Sequence, residues 1–433
     1  MPKVILVTQD WGGIGFAALM KKQGSDVIGA YDYDAVEDDD LESTELNGDG
    51  LVDKIELREA LSKLTGKKAL WVFDGNDLAD KADMLSRAGE LVVGTSGLSR
   101  RGENDRDFAV GLAESVGLKS PATEKFSNYD KAIKFLESRK SQAYVYKPYG
   151  EDPTATFVPL DADDPMRANE ELREYLLSLV AEKGKPQFIL QELVHGVEAN
   201  FELWVRKGKP IAAFCDLESK RKLDGDLGAP IGCAGGYVFA TSLTCRGIQS
   251  TVAKYLKLKE FAHYTGSVDA NVMIVNGEPL FLENCFRFGF NAYPAILMGL
   301  AKDSVEDTLR QWVTGTHDMR DRFKTGFAGS LSLLCDNPVN GFPIMAEGLF
   351  PEKFYLYRGF EEDHRLQMVA GWPEIGCVVG RGLTPESAGN ECLALAKQVS
   401  FPNVGYRLDL AHTNLSTLPI PRYRALQTNG WLR

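Results

Sequence analysis

Short apolar runs alternate with more polar stretches over the first hundred residues of the chain. The runs are Val4–Thr8, Val27–Tyr31, Ala69–Phe73 and Leu91–Gly94, all of strand length. Continuous apolar runs are typical of strands that are buried on both faces. A glycine-rich turn and a helical pattern follow the first run. The alternation predicts an α/β domain over residues 1–98, with a parallel sheet covered by helices on both faces.

A larger middle region, residues 99–322, begins with helical patterns and then becomes rich in strands. We expect helices over Glu103–Val116 and Ala168–Ala181. A glycine-rich loop is expected over Asp224–Gly236. Strands are expected at the apolar runs Ala143–Pro148, Phe188–Gln191, Ala199–Val205, Pro210–Cys215 and Val268–Val275.

The remaining residues, 323–433, form a strand-rich α+β domain in this interpretation. One clear helix is expected over Pro385–Val399, with Thr384 as its N-cap, because a threonine before a helical pattern can accept a hydrogen bond from the first turn. The expected strands are Phe327–Leu334, Lys353–Tyr357 and Cys377–Val379.

Composition and charge narrow the class of protein. The chain has 433 residues, of which 44% are hydrophobic, which is enough for several domains with cores of their own. Its net charge is -12 and no long basic block is present, so nucleic acid is not the expected partner. No apolar run approaches the length of a membrane span, and the chain begins with a strand pattern. We therefore expect a cytoplasmic protein.

Cysteine and histidine usage argues against two kinds of site. The seven cysteines include no CxxC pair, and the five histidines are scattered along the chain. Reduced thiols of a cytosolic protein have this pattern, whereas a disulfide framework or a zinc site requires paired spacings. A zinc enzyme is therefore not expected.

Two motifs near the N-terminus suggest ligands but fit them poorly. Asp10–Gly15, with Asp32 after the next strand, resembles a dinucleotide site, yet its spacing is not G-x-G-x-x-G. We favour a turn that packs the first helix on the sheet. Glu45–Glu56 resembles a calcium loop. We favour a loop followed by a helix there, since Leu57 and Leu61 share one helical face.

The run Leu280–Gly289 carries the strongest chemical signal. An apolar strand leads into Glu283 and then Arg287 before a glycine turn. A carboxylate can hold Mg2+ on nucleotide phosphates, and an arginine can neutralise charge on a phosphoryl group in transfer. The alternative is a buried strand that ends in a salt bridge.

Three further segments have the composition expected around a nucleoside triphosphate. Lys147 ends a strand near a glycine, which suits a phosphate contact, although a surface lysine is the simpler explanation. Main-chain groups at Glu192 and Leu193 suit an adenine edge, and Glu198 suits ribose hydroxyls. In Lys220–Gly236, three cations precede five glycines, which allow backbone N–H groups to approach an anion; a charged linker is the alternative.

These four segments, in this order, resemble the ATP-grasp ligases, and among them the phosphoribosylamine–glycine ligases. The resemblance implies an N-terminal α/β domain, an ATP-grasp core with a lid over residues 123–187, and a strand-rich C-terminal domain. It also implies an ADP-forming ligase that makes a C–N bond, with ATP and Mg2+ (or Mn2+) as cofactors. Its partners would be a small carboxylate and a small amine, with the protein a monomer or homodimer.

The resemblance assigns roles to individual residues. Asp226 and Arg287 would act in catalysis together with Lys147. Glu283 would bind the metal, with Asn284 or Asn271 supplying an amide oxygen. Nucleotide contacts would come from Arg106, Lys147, Gln191, Glu192, Leu193, Glu198 and Lys220.

Three loops depart from the family pattern. The first-strand loop, normally G-G-R-E-H, is Gly12–Phe16 with the charged residues missing, and the second, normally G-P-E, is Asp74–Leu78. Both bind the amine in the family. The phosphate-covering loop, Glu151–Thr156, lacks the usual glycine-lysine-glycine. We therefore favour a ligase that joins an amino acid such as glycine to a different amine. The alternatives are an authentic phosphoribosylamine–glycine ligase of purine biosynthesis and a nucleotide-binding homologue without turnover.

Overall fold

A computed structural model describes most of the chain. The described residues are 3–8, 12–32, 41–149, 156–160, 163–180 and 187–433. Asp10 and most of the predicted phosphate-covering loop after Lys147 lie outside these ranges.

The N-terminal part is the predicted parallel sheet. Its order is β3-β2-β1-β4-β5, and all neighbouring strands are parallel. Along β1, Val4 and Leu6 pack into one hydrophobic cluster, and Ile5 and Val7 into another, so both faces are covered as predicted. The elements are β1 (Val4–Thr8), α1 (Ile14–Lys22), β2 (Val27–Tyr31), α2 (Leu41–Leu46), β3 (Asp53–Glu56), α3 (Leu57–Leu64), β4 (Leu70–Phe73), α4 (Ala79–Arg87) and β5 (Leu91–Val93).

A small antiparallel sheet of order β6-β8-β7 follows, packed against two helices. The single helix expected over residues 103–116 is two helices, because the chain breaks at Asp105, whose carboxylate caps the second by accepting from the Phe108 N–H at 2.9 Å. The elements are α5 (Gly97–Asn104), α6 (Arg106–Ser115), β6 (Thr123–Phe126), α7 (Tyr129–Glu137), β7 (Tyr144–Pro148), α8 (Pro165–Leu179) and β8 (Phe188–Glu192).

The largest sheet has eight strands in the order β13-β12-β9-β10-β11-β14-β18-β15. It continues across residue 322, so the predicted boundary there separates segments that share one sheet. The expected loop over Asp224–Gly236 is wrong for most of its length, since β10 and β11 pair as a long hairpin. The strands are β9 (Val197–Arg206), β10 (Lys209–Leu223), β11 (Leu227–Ala240), β12 (Gly266–Val275), β13 (Glu278–Asn284), β14 (Phe327–Leu334), β15 (Phe354–Leu356), β16 (Phe360–Glu362), β17 (Arg365–Gln367) and β18 (Glu374–Gly382), with β16 and β17 forming a separate hairpin.

The other helices cover this sheet. Helix α12 begins at Pro385 and is capped as predicted by Thr384, whose Oγ1 accepts from the Ser387 N–H at 3.2 Å. The helices are α9 (Arg246–Ser250), α10 (Ala292–Pro294) with a π-helical turn at Ala295–Leu300, α11 (Val305–Thr314), α12 (Pro385–Ala396) and α13 (Pro419–Thr428), and 3-10 turns occur at Asp224–Asp226, Val252–Lys257, Lys259–Phe261 and Arg320–Arg322.

The glycine turn after β1 has a packing role. A Cβ on Gly15 would lie 2.7 Å from the Tyr355 ring, so glycine is what allows α1 to reach β15. The Tyr355 hydroxyl also donates to the Gly12 carbonyl at 2.6 Å. These contacts support the favoured interpretation, a turn that docks the first helix.

The calcium-like segment is a turn between α2 and β3. Asp53 begins a strand that pairs with β2, and Asp49 forms an ion pair with Lys54. Asn47 Oδ1 accepts from the Gly359 N–H at 2.7 Å, which docks the turn on the C-terminal part. Within the described ranges, no group of three or more His, Cys, Asp or Glu side chains is arranged to hold a metal ion, and no helix is long and apolar enough to cross a membrane.

Candidate active site

The pairing of four strands brings the predicted site residues to one face of the large sheet. Asn271 of β12 pairs with Asn200 of β9 on one side and with Glu283 of β13 on the other. Residues directly opposite each other in an antiparallel pair share a face. Glu198 and Lys220 lie on the same face, as their ion pair shows.

Lys220 is the central cation of this face. Its Nζ lies 2.9 Å from Oε1 of Glu283 and 3.1 Å from Oε1 of Glu198. Burial by itself would lower the pKa of Lys220, but Glu198 and Glu283, with Glu218 nearby, raise it well above its usual value. Burial likewise favours a higher pKa for Glu198, and Lys220 overcomes this, so the pKa of Glu198 is lowered.

Glu283 is held in its charged form. Lys220 makes the largest contribution, and the pKa of Glu283 falls to about 2 despite the opposing effect of burial. Lys147 and Arg106 lower it further. Three cations from separate strands and a helix therefore surround one carboxylate, which itself remains about half-exposed.

Lys147 and Arg106 retain unused hydrogen-bonding capacity. Burial lowers the pKa of Lys147 to about 8, with Glu283 opposing the shift and Arg106 adding to it. Within the described part of the chain, Lys147 Nζ has no hydrogen-bond or ion-pair partner. Arg106 donates from Nη2 to the Pro148 carbonyl at 3.2 Å, while its buried Nε has no partner there. Donors left unpaired beside each other suit an anion.

The two candidate amide ligands differ in orientation. Asn271 donates from Nδ2 to Oε1 of Glu198 at 2.9 Å, and its buried Oδ1 has no partner among the described residues. Asn284 is engaged elsewhere: its Oδ1 accepts from the Tyr255 hydroxyl at 3.1 Å and its Nδ2 donates to the Gly102 carbonyl at 3.2 Å. Of the two, Asn271 is the one whose amide oxygen has no partner among the described residues, whereas the amide of Asn284 is used in packing contacts.

Arg287 lies beside a carboxylate that the sequence analysis did not identify. Its Nη2 is 3.0 Å from Oε1 of Glu103, and its Nη1 donates to the Phe288 carbonyl at 2.8 Å. Burial raises the pKa of Glu103, and Arg287 opposes that shift. The predicted arginine therefore sits at the edge of the site with a fixed partner.

The main chain at the expected adenine position is already hydrogen-bonded. The Glu192 N–H donates to the Ala122 carbonyl and the Leu193 N–H to the Ala143 carbonyl, both at 2.8 Å. These two N–H groups are therefore not free for an adenine edge, in contrast to the sequence-based expectation. Gln191, also predicted, is buried and lies on the strand beside Val145.

The structure does not bring Asp226 to the cluster around Glu283. It lies at the tip of the β10–β11 hairpin, where its Oδ1 accepts from Arg407 Nη1 at 2.9 Å. Arg407 is almost completely buried and also pairs with Asp409. Asp226 therefore fastens the hairpin to the C-terminal segment, a contact that the sequence pattern did not reveal.

A set of neighbouring buried acidic side chains, of which Glu218 also acts on Lys220, was missed as well. Burial raises their pKa values, most strongly for Asp216 and Asp269. The Oδ1 atom of Asp269 is buried without a partner among the described residues. The signal was the i, i+2 spacing of acids that precedes Lys220 on β10, since alternate residues share a face. The set comprises Glu202, Asp216, Glu218 and Asp269.

Comparison with known families explains this arrangement. Residues 104–291, which contain the clustered cations and Glu283, match the family model described as the ATP-grasp (A) domain of phosphoribosylglycinamide synthetase. Over these residues the chain resembles the ATP-grasp domain of the phosphoribosylamine–glycine ligases. The predicted resemblance, fold class and ligase class of enzyme are thus confirmed.

Individual relatives extend the match beyond this domain. Phosphoribosylamine–glycine ligase of Streptococcus suis is 26% identical over 253 residues, which span 56% of this chain and 60% of that protein. The crystal structure of the Thermotoga maritima phosphoribosylamine–glycine ligase has a TM-score of 0.66 at 18% identity, covering 94% of this chain and 99% of that one. The biotin carboxylase domain of Hydrogenobacter thermophilus 2-oxoglutarate carboxylase, in complex with MgADP and bicarbonate, has a TM-score of 0.62 at 12% identity, covering 94% and 92%.

Proposed function

We propose that this ATP-grasp protein is an ADP-forming ligase that joins an amino acid, such as glycine, to an amine through an acyl-phosphate. The observation that carries the proposal is the convergence of Lys147, Arg106 and Lys220 around Glu283, beside the unpartnered amide oxygen of Asn271. Cations with spare donors next to a charged carboxylate suit a nucleoside triphosphate with its metal ion.

Each member of the cluster has a part in nucleotide binding. Lys147 and Arg106 have donors free for phosphate oxygens, and Glu198 would accept from the ribose hydroxyls. Glu283 and Asn271 offer one carboxylate and one amide oxygen, a donor set that suits Mg2+ or Mn2+ when the nucleotide phosphates complete the coordination. A metal bound there supplies charge neutralisation at the phosphates. The neighbour described above with MgADP supports this assignment.

The reaction has two steps in this proposal. A carboxylate oxygen of the amino acid attacks the γ-phosphorus of ATP, the bond to the β-phosphate oxygen breaks, and ADP leaves. The amine nitrogen then attacks the acyl carbon, phosphate leaves, and the nitrogen loses a proton. Arg287 faces this exchange as a fixed positive charge. The protein therefore contributes positioning and electrostatic stabilisation, without a covalent nucleophile.

We infer that this protein differs from its relatives in the amine that it accepts. The loops Gly12–Phe16 and Asp74–Leu78 meet at the carboxyl edge of the N-terminal sheet, where the Gly13 N–H donates to Oδ2 of Asp74 at 2.9 Å. These loops lack the charged residues expected for phosphoribosylamine. We therefore favour an amine without a ribose phosphate.

Two other functions remain as alternatives. An authentic phosphoribosylamine–glycine ligase is favoured by the names of the relatives and by the extent of the Thermotoga maritima match. A nucleotide-binding protein without turnover is disfavoured by the retained cluster of Lys147, Lys220 and Glu283.

An ADP-release screen tests the proposal directly. Amino acids, glycine among them, are incubated with ATP, Mg2+ and a panel of amines that includes phosphoribosylamine, and products are identified by mass. We expect ADP and a ligated product with an amino acid and an amine other than phosphoribosylamine. Turnover with glycine and phosphoribosylamine alone would establish the first alternative. Nucleotide binding without turnover on any pair would establish the second.

A further inference from the structure

The side chain of Glu103 contacts two parts of the molecule at once. Its Oε1 lies 3.0 Å from Nη2 of Arg287, and its Oε2 accepts a hydrogen bond of 2.7 Å from Nδ2 of Asn76. Asn76 accepts at Oδ1 from Oγ1 of Thr95 at 2.5 Å. A continuous polar chain therefore joins the loop after β4 to the arginine that follows β13.

Backbone packing fixes Glu103 in this position. Ser96 caps helix α5 by accepting from the Ser99 N–H at 3.1 Å. At Gly102, a Cβ would lie 2.6 Å from the ring of Phe286, so glycine lets the helix approach the residue before Arg287 this closely. This close approach of the helix to the segment after β13 brings Glu103 within reach of Arg287.

The carboxylate is supported on the side away from Arg287. Both members of the ion pair are largely buried, with 26% of Arg287 and 21% of Glu103 exposed. Removing such a pair from water is favourable only when geometry and additional hydrogen bonds compensate the lost hydration. Asn76, which is 7% exposed, supplies such a bond to Glu103, and Thr95, also 7% exposed, holds Asn76 by donating to its amide oxygen.

We propose that Glu103 is a positioning residue for Arg287, and that Asn76 couples this ion pair to the loop that borders the amine. The inference rests on the proposed ligase function. An amine seated against the loop stabilises the contact between Asn76 and Glu103, which holds Arg287 ready for displacement of phosphate. Without the coupling, water competes at the acyl carbon: its oxygen bonds to that carbon, the bond to phosphate breaks, and the free carboxylate, phosphate and a proton result.

The test compares ADP formed with product ligated in the same reaction. Glu103→Gln keeps the shape of the side chain but removes its charge, and its single amide oxygen can face either Asn76 or Arg287 while the NH2 group meets the other donor. We expect a kcat lower by roughly tenfold to a hundredfold, of the order seen on loss of one electrostatic contact. The KM for ATP should stay the same, and more ADP than product should form. Asn76→Ala should act in the same direction with a smaller effect.

Three further measurements separate positioning from mere folding. Glu114→Gln, on the exposed surface of α6, is the matched control and should behave like the wild type. Glu103→Asp, which keeps the charge, should lie between the wild type and Glu103→Gln. The double variant that combines Glu103→Gln with Asn76→Ala should have a kcat little lower than that of Glu103→Gln alone, because the effects of substitutions within one hydrogen-bond network are not additive.

The outcomes distinguish this inference from the function on which it rests. If the wild type forms no ADP with any substrate pair, both fail. If the wild type is active but Glu103→Gln and Asn76→Ala change only the thermal midpoint, with kcat and the ADP-to-product ratio unchanged, Glu103 is a structural staple and the inference alone is overturned.

Discussion

Nζ of Lys220 lies 2.9 Å from Oε1 of Glu283 and links it to Glu198 on the next strand but one. One ammonium group thus neutralises two carboxylates that face the same site. The pKa of Glu283 falls to about 2 in consequence. A carboxylate that stays charged across the physiological range is suited to a permanent role as a metal ligand.

Replacing Glu283 tests that role. Glu283→Gln should lower the rate of ADP release by roughly a hundredfold or more, because the charged carboxylate that would bind the metal is lost. The thermal midpoint should change little. The same substitution at Glu278, exposed at the start of β13, is the matched control and should retain full activity. Normal turnover by Glu283→Gln with an active substrate pair would falsify the assignment.

Lys147 should give the nucleotide affinity a distinct pH dependence. Its pKa is lowered to about 8, chiefly by burial, from an ordinary value of 10.5. Above pH 8 the free protein loses the positive charge that a phosphate would contact. The dissociation constant for ADP, measured by calorimetry from pH 7 to 10, should therefore rise by up to roughly tenfold per pH unit above 8.

The sign of the stability effect is opposite to that of the affinity. The unfolded chain binds the Lys147 proton up to about pH 10.5, whereas the folded protein releases it near 8. The unfolded state therefore holds more protons between these values, and this lysine makes the free energy of unfolding rise with pH there. Lys147→Arg, which stays charged, should show neither dependence; an unchanged profile in that variant would mean that another group is responsible.

Some parts of this architecture followed from the sequence because they are local. The buried strand β1 and the Thr384 cap of α12 depend on runs of a few residues, and the structure has them where the pattern places them. Part of β10 was expected as a strand, but most of β11 was expected as a loop, because the five glycines of Asp224–Gly236 mask the strand period. The pairing of the β10–β11 hairpin is set by neighbouring strands far away in the chain.

The sequence indicated which types of residue form the candidate site, but it indicated less well which residues they contact. Lys220 contacts Glu283, and Lys147 is near enough to lower the pKa of that carboxylate, because the three residues lie on strands that converge there. Glu103 was missed, since its contact with Arg287 joins residues 184 positions apart across a helix–strand packing that no local pattern encodes. Asp226 is the opposite case. The motif suggested a role at the substrate site, whereas in the structure its carboxylate accepts a hydrogen bond from the buried Arg407.

The two asparagines near β13 should separate metal binding from folding. Asn271→Ala removes an oxygen that has no other partner in the described structure, so the Mg2+ concentration for half-maximal activity should rise by roughly tenfold, an effect typical of groups around a metal. Asn284→Ala leaves the Tyr255 hydroxyl and the Gly102 carbonyl unpaired. It should lower the free energy of unfolding by about 1–3 kcal/mol with an unchanged Mg2+ requirement.

Magnesium titrations of activity and denaturant unfolding of both variants decide this point. The reverse pattern, with Asn284→Ala altering the Mg2+ requirement and Asn271→Ala altering stability alone, would exchange the two assignments.

Asp226 should contribute to stability and not to turnover. Asp226→Asn removes one of two carboxylates that neutralise the buried Arg407, so the free energy of unfolding should fall by about 1–3 kcal/mol, measured by urea denaturation. The kcat below the unfolding transition should match the wild type. A loss of kcat without a loss of stability would return Asp226 to the substrate site.

The turn after β1 offers a test of packing against ligand binding. Gly15→Ala would place a methyl group 2.7 Å from the Tyr355 ring and 2.9 Å from the Leu356 carbonyl oxygen. Overpacking of this kind costs about 1–3 kcal/mol, seen as a lower thermal midpoint. Gly111, on the exposed face of α6, has nothing within 4 Å of its Cβ position. Gly111→Ala should instead stabilise by about 0.5–1 kcal/mol, because alanine is the better helix former. Both variants should bind ADP with wild-type affinity; a specific loss of affinity in Gly15→Ala alone would place a ligand at this turn after all.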